Sequence, residues 1–423
     1  MKAVADSVEV VLDWDALGGQ RRVGTLHVDA ARGVQVYSFE YDAAWLADNR
    51  GVPLDPDLAL MRGRSWPRPN RDNFGVFLDS APDRWGRTLL QRRENWQARK
   101  EGRKPRVLRQ WDFLLGVEDV TRLGALRFRR PPDAVFVADS GALAVPPVSD
   151  LRELAAVAAA IDRDEGDVSE EQEGRWLRQL VAPGSSLGGA RPKAVVRDES
   201  GFLCLAKFPA RLDRFNVGAW EFVLNQLAWQ AGIAVPDARL LDLSEFGSTL
   251  LTRRFDRTAS GARIPYASAM TLLGRADGDV GASYLELTEL LMRQGAKARA
   301  DTCELFARVL FNVAVSNTDD HLRNHGMFLT QTGWTLAPAF DVNPNPHGGP
   351  HALLLDELHD EGDLDTVMAS HRSFGLTAAE ANRALQAVVG AVRQWQRVAA
   401  DAGIGRREIE RMSPAFRLPG VVG

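Results

Sequence analysis

Residues 317–324 read Asn-Thr-Asp-Asp-His-Leu-Arg-Asn, and the fold turns on how this stretch is read. It follows Asp301 to Val315 directly, a segment apolar nearly all round, which is the pattern of a buried central helix. Polar groups that leave such a helix at once are carried on a rigid support. Asp319 and Asn324 stand in the order D-x-x-x-x-N, a carboxylate and then a carboxamide on one short loop.

That spacing is the one a kinase catalytic loop uses. The chemistry needs a carboxylate near the attacking hydroxyl and, a few residues on, a carbonyl oxygen that reaches a metal. Polar loops produce the spacing by chance, so the surrounding sequence has to agree with it. Downstream, segments Gly326 to Leu329 and Trp334 to Leu336 read as a hairpin that ends in Asp341, within Ala-Pro-Ala-Phe-Asp-Val. A hairpin closing on a lone Asp is how a kinase delivers its main metal carboxylate; a cap or turn before Asn343-Pro344 is the alternative.

Upstream, Lys207 lies on a candidate strand flanked by apolar residues, Cys-Leu-Ala-Lys-Phe-Pro. An inward lysine is costly without an anionic partner, and Glu221 on the following helix is a candidate. An edge-strand lysine facing solvent is the bland alternative. Before this strand runs Gly184-Ser-Ser-Leu-Gly-Gly-Ala-Arg-Pro-Lys193, which includes Ser185, Ser186, Leu187, Gly188 and Gly189. It is neither G-x-G-x-x-G nor a P-loop, because Ala190-Arg191 stand where Lys-Ser/Thr would be required. Its exposed N–H groups are suited to cradling phosphates. Glycine-rich turn, strand lysine, helix glutamate, hinge strand, buried helix, D-x-x-x-x-N and hairpin aspartate follow one another as a kinase needs. The order carries more than any one part.

Strands are expected at Val8 to Trp14, Arg22 to Val28 and Val34 to Tyr41, with a turn at Gly18-Gly19. From Asn73 to Arg103 the pattern turns helical, with Leu78, Trp85, Leu89, Leu90 and Trp96 as core contacts. This region is basic through Arg109, and reads either as a solvated face with salt pairs or as a dock for an acidic partner or DNA. The Pro-rich stretch between Arg129 and Asp150 is the best domain boundary. A helix from Leu151 and an acidic surface loop, Asp162 to Gly174, come next. A hairpin with arms Lys193 to Arg197 and Phe202 to Phe208 follows, then a helix from Asn216 to Gly232 and strands Ala238 to Leu243 and Ser248 to Phe255.

With 423 residues the chain is too long for one hydrophobic core. Three parts are expected: 1–145, 146–255 and 256–423. Hydrophobic residues at 45% and charged residues at 26% fit a folded protein, and a net charge of -4 argues against DNA as the default partner. Cys204 and Cys303 read as buried free thiols. No secretory signal and no membrane span are legible, so the expected location is cytoplasmic, with no membrane partner.

With these residues in view, the chain resembles the HipA family of bacterial toxin kinases. The matching stretches are SSLGGARPK, CLAKFP, WEFVLNQLAWQAGIAVPDA, TRRFDR, NTDDHLRNHGMF and APAFDV, and FLDSAPDRWGRTLLQRR looks like that family's first subdomain. The resemblance implies an α+β, two-lobed protein-kinase-like fold with a β-rich N-terminal part and a mainly α-helical C-terminal lobe. It implies ATP and Mg²⁺ as cofactors, Asp319 as base, Asn324 and Asp341 as metal ligands, and Lys207 as the phosphate contact. Ser186 occupies the position of the serine that family members autophosphorylate, with Ser185 beside it; added phosphate should inactivate the protein. The nucleotide site would also draw on Leu187, Gly188, Gly189, Lys193, Glu221, Arg253, Phe255 and His321. Arg253 departs from the glutamate common in the family's hinge strand, and Asp320 stands where a glycine is common, adding a carboxylate beside the base. His321 is expected to orient the loop from within.

The resemblance further implies a small helix-turn-helix, HipB-like antitoxin, operator DNA reached through it, and a translation component such as an aminoacyl-tRNA synthetase as substrate. Two rivals remain. His321, His325, His347, His351 and His359 crowd near Asp319, Asp320 and Asp341, as in a metal-dependent hydrolase, although His347-Gly-Gly-Pro-His351 cannot form a regular helix. A kinase-fold corepressor or scaffold without catalysis is the other.

Overall fold

The computed structural model describes residues 4–31, 34–48, 53–69, 71–131, 135–140, 145–163, 169–184 and 189–418. The chain forms two compact units that interleave in sequence: 1–211 with 256–267, and 212–255 with 268–423. Residues 146–211 fall in the first unit and 212–255 in the second.

The first unit opens with an antiparallel sheet of β1 (Val4–Trp14), β2 (Gly19–Ala31), β3 (Val34–Tyr41), β4 (Arg64–Ser65) and β5 (Leu126–Arg129), in the order β4-β3-β2-β1-β5. Alternation sets its buried face: Val8, Val10 and Leu12 on β1 and Leu26 and Val28 on β2 enter one core with Phe39, Phe74, Phe77 and Phe128. Phe77 joins Phe39 and Phe128 at ring distances of 5.7 and 6.0 Å. Gly24 sits beside the register shift between Val10 and Val11, where a Cβ would lie 2.2 Å from the Glu40 carbonyl oxygen. Only glycine fits that approach.

Among the described residues, the longer helices of this unit are α1 (Arg84–Lys100), α2 (Leu151–Arg163) and α3 (Glu170–Gly184). The helical region expected from Asn73 is broken at Asp83, whose side chain caps α1 by accepting from the Gly86 N–H at 2.7 Å. On α2, Leu151, Leu154, Ala158 and Ile161 recur at helical spacing and are buried. Helix α3 corrects the sequence reading, which took its acidic start for a surface loop. Carboxylates favour a helix N-terminus, and Leu177, Leu180 and Val181 supply a buried face. The basic stretch on and after α1 follows the solvated-face reading in large part. Arg99 pairs with Glu173, and Arg103 with Glu94 and Glu101, while Arg106 faces Glu94 and Asp112.

Strands β6 (Lys193–Arg197) and β7 (Leu203–Lys207) form the expected hairpin. Asp198 closes its turn by accepting from the N–H groups of Ser200 and Phe202. The outlying 256–267 segment belongs to this unit through buried charge. Asp256 accepts from the Gly124 N–H at 2.8 Å, Arg257 donates to the carbonyls of Val120 and Arg122, and Arg263 meets Asp119.

The second unit contains α4 (Val217–Gln230), the antiparallel pair β8 (Ala238–Ser244) and β9 (Gly247–Arg253), α5 (Tyr284–Gln294) and α6 (Ala298–Ala314). The hairpin β10 (Gly326–Thr330) and β11 (Gly333–Leu336) and helix α7 (Ala378–Val392) complete its larger elements. Its core stacks Trp395 on Phe416 at 4.0 Å beside Trp220. The α+β class expected from the sequence is the class observed. Both cysteines are free, but Cys303 is half-buried, where two buried thiols were expected. Among the described residues, no helix is long and apolar enough to cross a membrane.

Candidate active site

Helix α6 is buried nearly all round and ends abruptly. The Ser316 N–H reaches back to the Val313 carbonyl and the Asn317 N–H to the Asn312 carbonyl, at 3.2 and 2.8 Å. These paired bonds are a Schellman closure, whose pivotal residue is left-handed and usually glycine. Here that residue is Ser316, with φ +50°. The same closure ends α4 with Gly232 in the pivotal place, as the sequence suggested. The turn at Ser316 directs residues 317–324 away from the helix.

Asp319 is exposed on this loop, while Asp320 is 4% exposed. The Asp320 Oδ2 accepts from the Tyr284 hydroxyl at 2.5 Å and from the Asn312 carboxamide at 2.7 Å, and lies 2.9 Å from His325 Nε2. Burial pushes this carboxyl up, but His325 and the hydrogen bonds outweigh it, so it is held below the usual carboxylate value. The expectation that Asp320 adds a carboxylate beside the base is therefore corrected: its charge is consumed inside the protein. Tyr284 and Asn312 were missed as site residues, and His325 was named only in the metal-dependent hydrolase alternative. The one legible signal was Asn312, a carboxamide in an otherwise apolar run, which must find a partner when buried.

Asn324 donates from Nδ2 to the Asp319 carbonyl at 3.3 Å, which leaves Oδ1 as the atom presented elsewhere. Two residues later β10 begins, and β11 returns antiparallel to it, with the Ala337 N–H bonded to the Gly326 carbonyl at 2.9 Å. Asn324 and Asp341 thus flank the open end of one hairpin. Asp341 is left-handed, with φ +58°, a conformation that costs a non-glycine residue energy and concentrates at functional positions. The chain beyond it is stitched to the loop: Asn343 N–H to Asn317 Oδ1, Asn345 N–H to the Ser316 carbonyl and Asn345 Nδ2 to Thr318 Oγ1.

Phe255 packs its ring 5.3 Å from Phe340 and 5.9 Å from Phe328, so it braces both flanks of this hairpin. Arg253 ends β9 and is half-buried, its N–H bonded to the Asp237 carbonyl. His321 is half-buried, and its Nδ1 has no hydrogen-bond partner among the described residues. Lys207 closes β7 in the first unit and Glu221 lies on α4 in the second; both are buried. Ser185, Ser186, Leu187 and Gly188 lie outside the described residues. Gly189 is left-handed, with φ +102°. Lys193 is held at both ends: its ammonium lies 2.5 Å from Asp83 and donates to the Gly189 carbonyl at 2.9 Å, while its own carbonyl accepts from Trp85. In this structure it therefore pins the end of the glycine-rich loop.

Mg²⁺ takes oxygen ligands, commonly one or two protein side chains with substrate phosphates. The Asn324 carboxamide oxygen and the Asp341 carboxylate fit that chemistry. Among the described residues no group of three or more His, Cys, Asp and Glu side chains is placed to hold a metal ion. His347 is exposed and His351 buried, on irregular chain.

The sequence matches the family model of the HipA-like C-terminal domain over residues 185–396, and that of the HipA N-terminal domain over 15–105. The chain belongs to the HipA family. The HipA toxin–antitoxin structure of Shewanella oneidensis MR-1, a complex of HipA, HipB and operator DNA, superposes with a TM-score of 0.64 at 15% identity. The match covers 97% of this chain and 95% of that one, and shows a shared HipA fold. The Helicobacter pylori proinflammatory kinase CtkA gives a TM-score of 0.42 at 12% identity, over 55% of this chain and 89% of that one. No curated protein matches the chain in sequence.

Proposed function

We propose that the chain is an ATP-dependent protein serine/threonine kinase acting as the toxin of a toxin–antitoxin pair. One observation carries the reading. Asp319 stands exposed on a loop fixed by a buried helix, with Asn324 and the left-handed Asp341 flanking the hairpin that follows. Membership of the HipA family supports it.

In this reading Asp319 accepts the proton of the attacking hydroxyl, and Asn324 and Asp341 hold Mg²⁺. When bound, Mg²⁺ neutralises charge on the transferring phosphoryl group. Lys207, oriented by Glu221, and the glycine-rich loop hold the ATP phosphates, so positioning supplies most of the catalysis. Phosphorylation of Ser186 adds about -1.5 to -2 charges in the phosphate cradle and switches the protein off.

The partners proposed are a HipB-like helix-turn-helix antitoxin and, through it, operator DNA. The Shewanella protein was solved with both. The substrate proposed is a translation component such as an aminoacyl-tRNA synthetase. Incubation with γ-labelled ATP, Mg²⁺ and a cell lysate, followed by identification of the labelled proteins, tests the reading. Label on a translation protein supports it; no label on any protein, the chain included, refutes it.

A further inference from the structure

Adjacent residues Asp319 and Asp320 have opposite fates. One carboxylate is exposed and the other is taken out of water by donors on three separate elements. Tyr284 comes from α5, Asn312 from the last turn of α6, and His325 from the residue before β10. All three meet one oxygen, Oδ2. The anchor is braced in turn: Asn317 donates to Asn312 Oδ1 at 3.1 Å, and the Tyr284 and His325 rings meet edge to face at 5.7 Å. The His325 carbonyl also accepts from the Ala269 N–H. Each of these groups is buried, so none is needed for solubility or surface charge.

We propose that Asp320 is a positioning residue, one that fixes the direction in which Asp319 leaves the loop by tying the intervening backbone to α5, α6 and β10. The proposal rests on the kinase reading of Asp319. Bonds at Asn317 and Thr318 hold the start of the loop, and the Asn324 N–H bond to the His321 carbonyl holds its end; the Asp320 anchor falls between them, next to Asp319. Misplacement of a reacting group by about 1 Å costs on the order of 10²-fold in rate, so such an anchor acts on turnover rather than on nucleotide binding.

The test compares Asp320→Ala, Asp320→Asn and Tyr284→Phe in the full chain, reading kcat and the KM for ATP. Asp320→Ala should lose about 10²-fold in kcat with KM changed less than about threefold. Asparagine can place its carboxamide oxygen where Oδ2 stands, so Asp320→Asn should keep kcat within about tenfold of wild type. Tyr284→Phe removes one donor and keeps the ring, and should fall between; it carries the comparison if Asp320→Ala does not fold. Amide hydrogen exchange at 317–324 should quicken in the same rank order while α6 stays protected. The proposal is overturned by unchanged kcat and exchange in Asp320→Ala and Tyr284→Phe, or by Asp320→Asn being as defective as Asp320→Ala, which would mark the charge itself as the requirement. A wild-type chain without phosphotransfer would sink the kinase reading alone, since the exchange series still judges the anchor.

Discussion

The Lys193 ammonium sits 2.5 Å from the Asp83 carboxylate, with 1% and 7% of the two side chains exposed. Burial pushes the Asp83 carboxyl up, against the pull of Lys193 and the Gly86 N–H. The pair joins the cap of α1 to the first residue of β6 and, through the Gly189 carbonyl, to the end of the glycine-rich loop. Removing one member of such a pair leaves the other charged and out of water. Asp83→Asn keeps a good helix cap, so it isolates the charge, and should cost about 3–5 kcal/mol. Adding Lys193→Met should recover most of that loss in urea unfolding; additive losses would show that the two residues are not coupled.

Ser316 holds a backbone conformation that glycine adopts freely, and its hydroxyl has no partner among the described residues. Ser316→Gly should therefore stabilise the fold relative to Ser316→Ala by about 1 kcal/mol. Thermal melts of the two variants check this. An alanine variant as stable as the glycine variant would contradict it.

Glu94 is held at about 2, against 4.5, chiefly by hydrogen bonds from Arg103; burial opposes this, and the Arg106 N–H adds to it. A folded value below the unfolded one gives stabilisation that is complete above pH 4.5 and lost as pH falls toward about 2. Glu94→Gln should therefore lower the Tm at neutral pH, and the gap to wild type should close across that acid window. A gap that stays constant across the window would assign the effect to packing.

Gly174 on α3 lies under Trp96 of α1, where an added Cβ would stand 2.5 Å from the indole ring. Alanine is the better helix former by about 1 kcal/mol, but overpacking costs about 1–3 kcal/mol, so the clash should win. Gly174→Ala should destabilise the wild-type chain and stabilise a Trp96→Leu background. The same sign of change in both backgrounds would contradict this packing.

The sequence showed the scaffold of the site well. The D-x-x-x-x-N spacing, the hairpin before Asp341, the start of α4 near Asn216 and its end at Gly232 are local patterns set by a few neighbouring residues. What stayed hidden depends on residues far apart in the chain. The Asp83–Lys193 pair spans 110 positions, and the Tyr284–Asp320 bond spans 36. Nothing local shows that the Lys193 ammonium meets a buried carboxylate; its nucleotide-site role is one that the family resemblance implies. Helix α3 was hidden differently: its acidic first turn reads as solvated loop until Leu177 and Leu180 are seen to share a buried face. Asp320 read only as an added carboxylate beside the base, because sequence proximity to Asp319 says nothing about which of the two is buried.

The most direct measurement is transfer of the γ-phosphate of ATP, with Mg²⁺, to the chain itself, compared between the wild type and Asp319→Asn. Asp319 is exposed, so the substitution should leave the melting temperature unchanged. Labelling should fall by about 10²- to 10⁴-fold, the usual cost of removing a general base. Equal labelling of the two proteins would contradict the assignment of Asp319 as the catalytic base.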